Sequence, residues 1–207
     1  RSQGLTKDAL TLTLKAVRQY PSFVAALSLL TELELMSGNK RRVEKLLLKG
    51  WSLFPHPDLA KAYISLVKNE SAEDRKARLE ALTIVKNTNP QITILKVELH
   101  LAVKDFVKAK SLISKLVNED PDNYVLTLMA AVEKGSGASD LVVREWLTKA
   151  VSAPKSFEWI CSKCGFQTDW TCVCPGCKSF DTIEWRRPPT YKNRTGNQVP
   201  IPLILAS

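Results

Sequence analysis

The chain has 207 residues, 44% of them apolar and 25% charged, with only 8 glycines and a net charge of +9. These values fit a soluble chain long enough to bury one or two cores. They argue against a low-complexity or collagen-like chain, and the few glycines suit long helices better than many short strands. No run approaches the ~18 apolar residues of a transmembrane helix, and no basic-then-apolar leader opens the sequence. Residues 155–207 hold seven basic and four acidic residues, so the remaining 154 carry +6 and the excess is spread along the chain. A solvated basic surface, or an acidic, nucleic-acid or anionic-membrane partner, is compatible with that spread.

From Arg1 the chain enters a helical pattern almost at once, as expected of a piece of a longer protein whose membrane anchor, if any, lies upstream. Prolines then mark time. Pro21, Pro55, Pro90, Pro121 and Pro154 are separated by 34, 35, 31 and 33 residues. Between them apolar residues recur at three and four, as in LSLLTELELM (27–36) and VELHLAVKDFVKAKSLISKLV (97–117), which is the helical period. Each interval holds two helices of ~12–15 residues with short turns. Breaks are expected at Ser37-Gly38-Asn39, Asn69-Glu70-Ser71 and Gly135-Ser136-Gly137. A proline ends one helix and permits the next, because it lacks an amide hydrogen and disfavours helix in the residue before it.

This spacing resembles the tetratricopeptide repeat (TPR) family, whose unit is an antiparallel pair of helices. That family places a small residue about twelve positions before the proline. Ala9 and Ala109 match, whereas Val43, Arg78 and Val142 depart from the pattern. The resemblance covers residues 4–153 and implies four and a half repeats, beginning with the second helix of a broken unit. It implies an all-α, TPR-like helical solenoid over 1–153 with a concave surface for a peptide or protein. Trp51, Trp146, Phe23 and Phe54 are either anchors in such a groove or core between helices. His56, in a Pro-His-Pro turn, and His100, inside a helix, have no partner set apparent in the sequence. No catalytic constellation stands out, so a non-enzymatic role is expected.

All five cysteines lie in EWICSKCGFQTDWTCVCPGCKSFDTIEW (158–185). Cys161-x-x-Cys164 and Cys174-x-x-Cys177 form two knuckles nine residues apart. Two such pairs supply four soft thiolates at tetrahedral spacing, which suits zinc, with iron as the alternative. Disulfide pairing is the weaker reading, since five is an odd count and no cysteine lies elsewhere. Thiolate–metal chemistry also favours a reducing compartment. Gly165 follows the first pair where a turn needs positive φ, and Pro175-Gly176 shapes the second. Trp159, Phe166, Trp170, Phe180 and Trp185 are expected to cover the small core, with the metal supplying much of its folding energy. Cys172 is a spare thiol or a competing ligand, being two residues from Cys174 and so on the same side of an extended segment.

The residues Cys161, Cys164, Gly165, Cys174, Pro175 and Cys177 resemble a rubredoxin-like zinc ribbon with short β-hairpins, here assigned to 154–187. The tail 188–207 follows, with the apolar Ile201-Pro202-Leu203-Ile204-Leu205 expected to dock on the repeats. Four cysteine ligands leave no open coordination position, so the metal is expected to be structural. TPR helices ending in such a ribbon resemble the bacterial, haem-biosynthesis-associated HemY-type group. That likeness rests on the Trp159-to-Cys164 and Cys174-to-Cys177 knuckles and on Phe180-Asp181-Thr182-Ile183-Glu184-Trp185. They also resemble the related lipopolysaccharide assembly protein B group. The resemblance implies an adaptor at the cytoplasmic face of the inner membrane, held by an N-terminal anchor and organising late haem synthesis through protein partners. The other roles left open are lipopolysaccharide control and rubredoxin-type electron transfer through iron. A third is nucleic-acid binding through Lys155, Lys163, Lys178, Arg186, Arg187, Lys192 and Arg194.

Overall fold

Helices of this length are marginal alone in water, so their apolar faces must find neighbours. In a computed structural model of the chain, which describes residues 2–85 and 88–189, they do so as successive pairs. The helices are α1 (Ser2–Gln19), α2 (Val24–Met36), α3 (Lys40–Leu53), α4 (Pro57–Ile64), α5 (Ala72–Thr83), α6 (Pro90–Ala102), α7 (Phe106–Glu119), α8 (Asn123–Gly135) and α9 (Asp140–Ser152). Two short strands follow, β1 (Glu158–Cys161) and β2 (Ile183–Arg186). The fold is thus mostly helical with one small antiparallel sheet at the cysteine cluster, as the sequence predicts. Contacts divide the chain into two compact units, Arg1–Asp105 and Phe106–Ser207. The tail from 190 onward, with its apolar 201–205 segment and with Lys192 and Arg194, lies outside the described residues.

The period is sharper than the prolines suggest. Helices α2, α4, α6 and α8 begin at residues 24, 57, 90 and 123, each 33 after the last. The two helices of a pair carry different patterns. In α2, α6 and α8 burial runs nearly all round, from Val24 to Glu34 in α2 and from Val125 to Glu133 in α8. Their partners bury one stripe, Val43, Leu47, Gly50 and Trp51 in α3 and Ala109, Ile113 and Leu116 in α7. Within each unit the first set is therefore the inner helices and the second the outer ones, with a solvated face. Ala109 meets the expected small-residue position, and the larger Val43 fills the same place in α3 with equally complete burial.

Three inner helices stop in the same way. Gly38, Lys104 and Gly137 take φ of 78°, 58° and 83° after α2, α6 and α8. The next amide turns back five residues in each case, Asn39 to Glu34 (3.0 Å), Asp105 to His100 (2.8 Å) and Ala138 to Glu133 (3.0 Å). This is the Schellman closure, which satisfies carbonyls that the helix leaves open. The side chain at the accepting position is tied down as well. Glu34 takes Asn39 Nδ2 at 2.9 Å and Arg42 at 3.1 Å, His100 Nδ1 lies 3.1 Å from Asp105, and Lys110 pairs with Glu133 at 2.9 Å. His100 thus has a partner that the sequence did not reveal.

The second pair departs from the expected helix length, because α4 has only 8 residues. Arg78, which breaks the small-residue pattern, explains how the short helix is closed. Its guanidinium donates to the carbonyls of Tyr63 (2.7 Å) and Ile64 (3.3 Å), lies over the Tyr63 ring and binds Glu70 through two nitrogens. Tyr63 in turn donates to Glu44 at 2.9 Å. Arg78 thus closes α4 from the next helix, and the chain then turns at the left-handed Asn69 (φ 59°). Trp51 resolves to core, being fully buried with Nε1 donating to the Leu82 carbonyl at 2.6 Å. Phe23 and Phe54 remain partly exposed, and Trp146 is half-buried under Lys149.

His56 is fully buried and caps α4, its Nδ1 accepting from the Asp58 amide at 3.1 Å. Burial lowers its pKa to about 4, against an upward pull from Asp58 and a smaller downward push from Lys61. The neutral ring is therefore the folded form. Its contribution is complete above the ordinary value of 6.5 and is lost as pH falls from there towards 4, by up to about 3 kcal/mol. Thermal melts between pH 7.5 and 4.5 should show this loss in the native chain. A flatter pH slope is expected in His56→Asn, which keeps the cap but cannot protonate.

Candidate metal centre

The cluster is built from two copies of one turn. In the first, Gly165 donates to the Cys161 carbonyl at 2.9 Å and Cys161 donates to the Phe166 carbonyl at 2.9 Å. Thirteen residues on, Lys178 donates to Cys174 and Cys174 to Ser179, both at 2.9 Å. The left-handed position falls on Gly165 (φ 73°), as expected from the sequence, and on Lys178 (φ 59°) in the second copy. Each turn folds its two thiols towards one point while backbone amides face the sulfurs. The amides of Lys163 and Cys164 serve Cys161, that of Phe166 serves Cys164, and that of Ser179 serves Cys177.

β1 and β2 pair antiparallel, with Trp159 opposite Trp185 and Cys161 opposite Ile183. The two indoles meet edge to face at 5.4 Å. The ribbon core consists of Cys161, Cys174 and Ile183, flanked by Trp159, Trp170 and Cys177. Of the aromatics expected to cover it, Phe180 is instead 73% exposed and Phe166 is 44% exposed. So small a core leaves the cross-link to hold the module together.

The sulfurs of Cys161, Cys164, Cys174 and Cys177 all lie within 4.8 Å of one another, with Cys161–Cys177 and Cys164–Cys174 at 3.6 Å. A disulfide needs about 2.05 Å. Tetrahedral coordination at about 2.3 Å from metal to sulfur puts sulfurs about 3.8 Å apart. The four cysteines are free thiols at metal-ligand spacing and can hold one metal ion. Cys172 is exposed and stands outside the group.

Proton affinities carry the same message. The Thr182 hydroxyl 3.2 Å away, with the Lys163 and Cys164 amides, outweighs burial and lowers Cys161 to about 6. The hydroxyl and amide of Ser179 lower Cys177. At Cys164 the Phe166 amide pulls down, but burial and the adjoining sulfurs prevail and push the thiol up to about 12. Four sulfurs this close ionise together only with a cation among them. Cys161 and Cys174 are buried, whereas Cys164 and Cys177 edge a surface depression with Phe166 and Gly176.

The ribbon is fastened to the turn between α7 and α8, within the second unit. Arg187, directly after β2, donates to both oxygens of Asp120 at 3.1 and 2.5 Å, stands 3.8 Å from Asp122 and covers the Phe157 ring. On the other side of the ribbon, Asn123 donates its amide to the Pro154 carbonyl at 2.9 Å, and its side chain accepts from Ser156 at 2.8 Å. Asp122 also caps α8 by accepting from the Tyr124 and Val125 amides. Both chain segments bounding the ribbon therefore converge on Asp120–Asn123, a joint that no local sequence signal marked. Arg187, offered above as a nucleic-acid contact, is used in this joint.

The fold and site define a helical-repeat chain with a four-cysteine ribbon. No family model matches the chain. It is similar to the probable magnetosome protein Mms48 of Magnetospirillum gryphiswaldense, with 30% identity over 156 residues, covering 74% of this chain and 35% of that protein. The chain thus spans about a third of that relative's length. No helix among the described residues is long and apolar enough to cross a membrane.

Three variants test this site. Cys177→Ser should abolish stoichiometric metal binding and unfold the ribbon while most of the helical circular dichroism survives. Cys172→Ser should leave one metal per chain. Arg187→Ala should destabilise the second unit by about 1 kcal/mol, since the pair is partly exposed. It should also speed hydrogen exchange at the Asn123 and Ser156 amides.

Proposed function

We propose that the chain is a non-catalytic scaffold whose helical repeats bind protein partners and whose ribbon holds a structural zinc. The observation that carries the reading is the closed set of four sulfurs beside stacked helix pairs. Four thiolates complete a tetrahedral shell and leave no position for substrate, while helix pairs with a solvated outer layer offer an extended surface to a partner. In the HemY-type reading, the repeats are of the TPR class. The partners are then late haem-synthesis enzymes, and the work is done at the cytoplasmic face of a bacterial inner membrane, with the anchor on a preceding segment. A bacterial setting is supported by the likeness to the Magnetospirillum protein, although that likeness bears on a third of its length. The lipopolysaccharide adaptor role is the neighbouring reading on the same architecture.

One observation favours a second class. Cys164 and Cys177 reach the surface, and a sulfur edge open to contact is what an iron centre would use to pass electrons. Metal analysis and a visible spectrum separate the two. One zinc per colourless chain is expected. One iron, with thiolate charge-transfer bands that bleach on reduction, would replace the scaffold reading with electron transfer. Proximity labelling from the full-length protein in its own cell tests the partners. Enrichment of late haem enzymes is expected, and enrichment of lipopolysaccharide enzymes instead would move the role to that pathway.

A further inference from the structure

Helices α3 and α5 lie side by side in the outer layer of the first unit, with their last turns together. The Trp51–Leu82 hydrogen bond joins the last turn of one to the last turn of the other. Their solvated faces are opposite in charge. On α3, away from the buried Val43, Leu47, Gly50 and Trp51, the exposed residues are Arg41, Arg42, Lys45 and Lys49. The acid of that helix, Glu44, is engaged by Tyr63. On α5 the exposed face carries Glu73 and Asp74, then Glu80, which is paired with Lys76 of the same helix, with Ala77 and Ala81 between them. Both stripes finish in apolar residues at the same end, Leu53 (52% exposed) and Phe54 (40%) after α3 and Ile84 (77%) after α5.

α3 also carries a local electrostatic cost. Its first turn holds Lys40, Arg41 and Arg42 and no acid, against the positive end of the helix dipole. Glu34 relieves part of it through Arg42, and acidic groups brought from outside would relieve the rest.

We propose that this face binds a second copy of the chain, in a two-fold dimer with its axis running along the line between α3 and α5. Such an axis leaves the helices parallel and sets α3 of each copy on α5 of the other. The self-complementary patch is used twice, as an isologous contact requires. Arg41 then faces Glu73 and Asp74, while Arg42 keeps its bond to Glu34. Lys45 passes over the small Ala77, which lets the helices approach. Lys49 reaches Glu80 beside its Lys76 partner, and the apolar ends Leu53, Phe54 and Ile84 close on each other. The occupant is the chain itself because both halves of the match, charge against charge and apolar against apolar, lie side by side on one surface in compatible register. This inference stands independently of the metal and of the pathway.

The experiment is light scattering and sedimentation of the metal-loaded chain and of two charge-reversed variants, Arg41→Glu/Lys45→Glu and Glu73→Lys/Asp74→Lys. The native chain is expected at twice its own mass in low salt, moving towards monomer as salt screens the contact. Each variant alone should be monomeric with native helical signal. A mixture of the two should recover a heterodimer, since its altered faces match each other and its unaltered faces still match. Ala77→Arg leaves every helix cap in place and should dissociate the dimer by itself. A native chain that stays monomeric in low salt would overturn the proposal, as would variants that still dimerise or a mixture that does not. An open-ended ladder of oligomers would overturn the two-fold arrangement.

Discussion

A helix buried on every side cannot exist without neighbours on every side, and that constraint organises this chain. The inner helices α2, α6 and α8 are apolar almost all round and are useless as isolated amphipathic segments. They become stable only when an outer helix covers one flank and further helices cover the rest. The same residues that make each pair insufficient therefore specify the stacking. The repeated left-handed closures at Gly38, Lys104 and Gly137 return the chain at a constant interval, so that the next inner helix starts 33 residues after the last.

The ribbon solves the same problem by different chemistry. It has too few apolar residues to fold by burial, and its aromatics cover it incompletely. Cohesion comes from two identical turns that carry four thiols to one point, with amides and hydroxyls already aimed at the sulfurs. The module is then fixed at both of its bounding segments to a single turn, Asp120–Asn123, whose Asp122 also caps α8. Helix capping and ribbon attachment thus share the Asp122 side chain, one oxygen for each, which ties the orientation of the cysteine cluster to the start of a helix.

The outer layer separates cations on α3 from carboxylates on α5, while the inner layer buries its polar residues in paired contacts such as Glu34 with Arg42 and Glu133 with Lys110. The cysteine cluster is closed to substrate but open at one sulfur edge. A metal ion held by the four thiols would tie the two knuckles into one rigid body.

Much of this was legible in the linear sequence, because the signals are periodic or local. The proline interval, the three-and-four apolar spacing, the paired Cys-x-x-Cys and the left-handed Gly165 all depend on a few neighbouring residues. Spacing singled out the two knuckles but left Cys172 open as a competing ligand, and the structure sets it outside the group. What was not legible depends on residues far apart. Arg78 breaks the expected pattern, yet it closes a shortened α4 by reaching back to Tyr63 and Glu70. His56 reads as a turn residue and becomes a buried cap. Trp51 could have been an anchor, and its bond to Leu82, 31 positions on, makes it core. Arg187 meets Asp120 across 67 positions. Period, turn chemistry and ligand spacing are written within one or two turns of chain, so the sequence by itself determined them. Which charges pair, which aromatics are covered and where the ribbon attaches were decided only by the tertiary structure, because those energies exist only once distant segments exclude water between them.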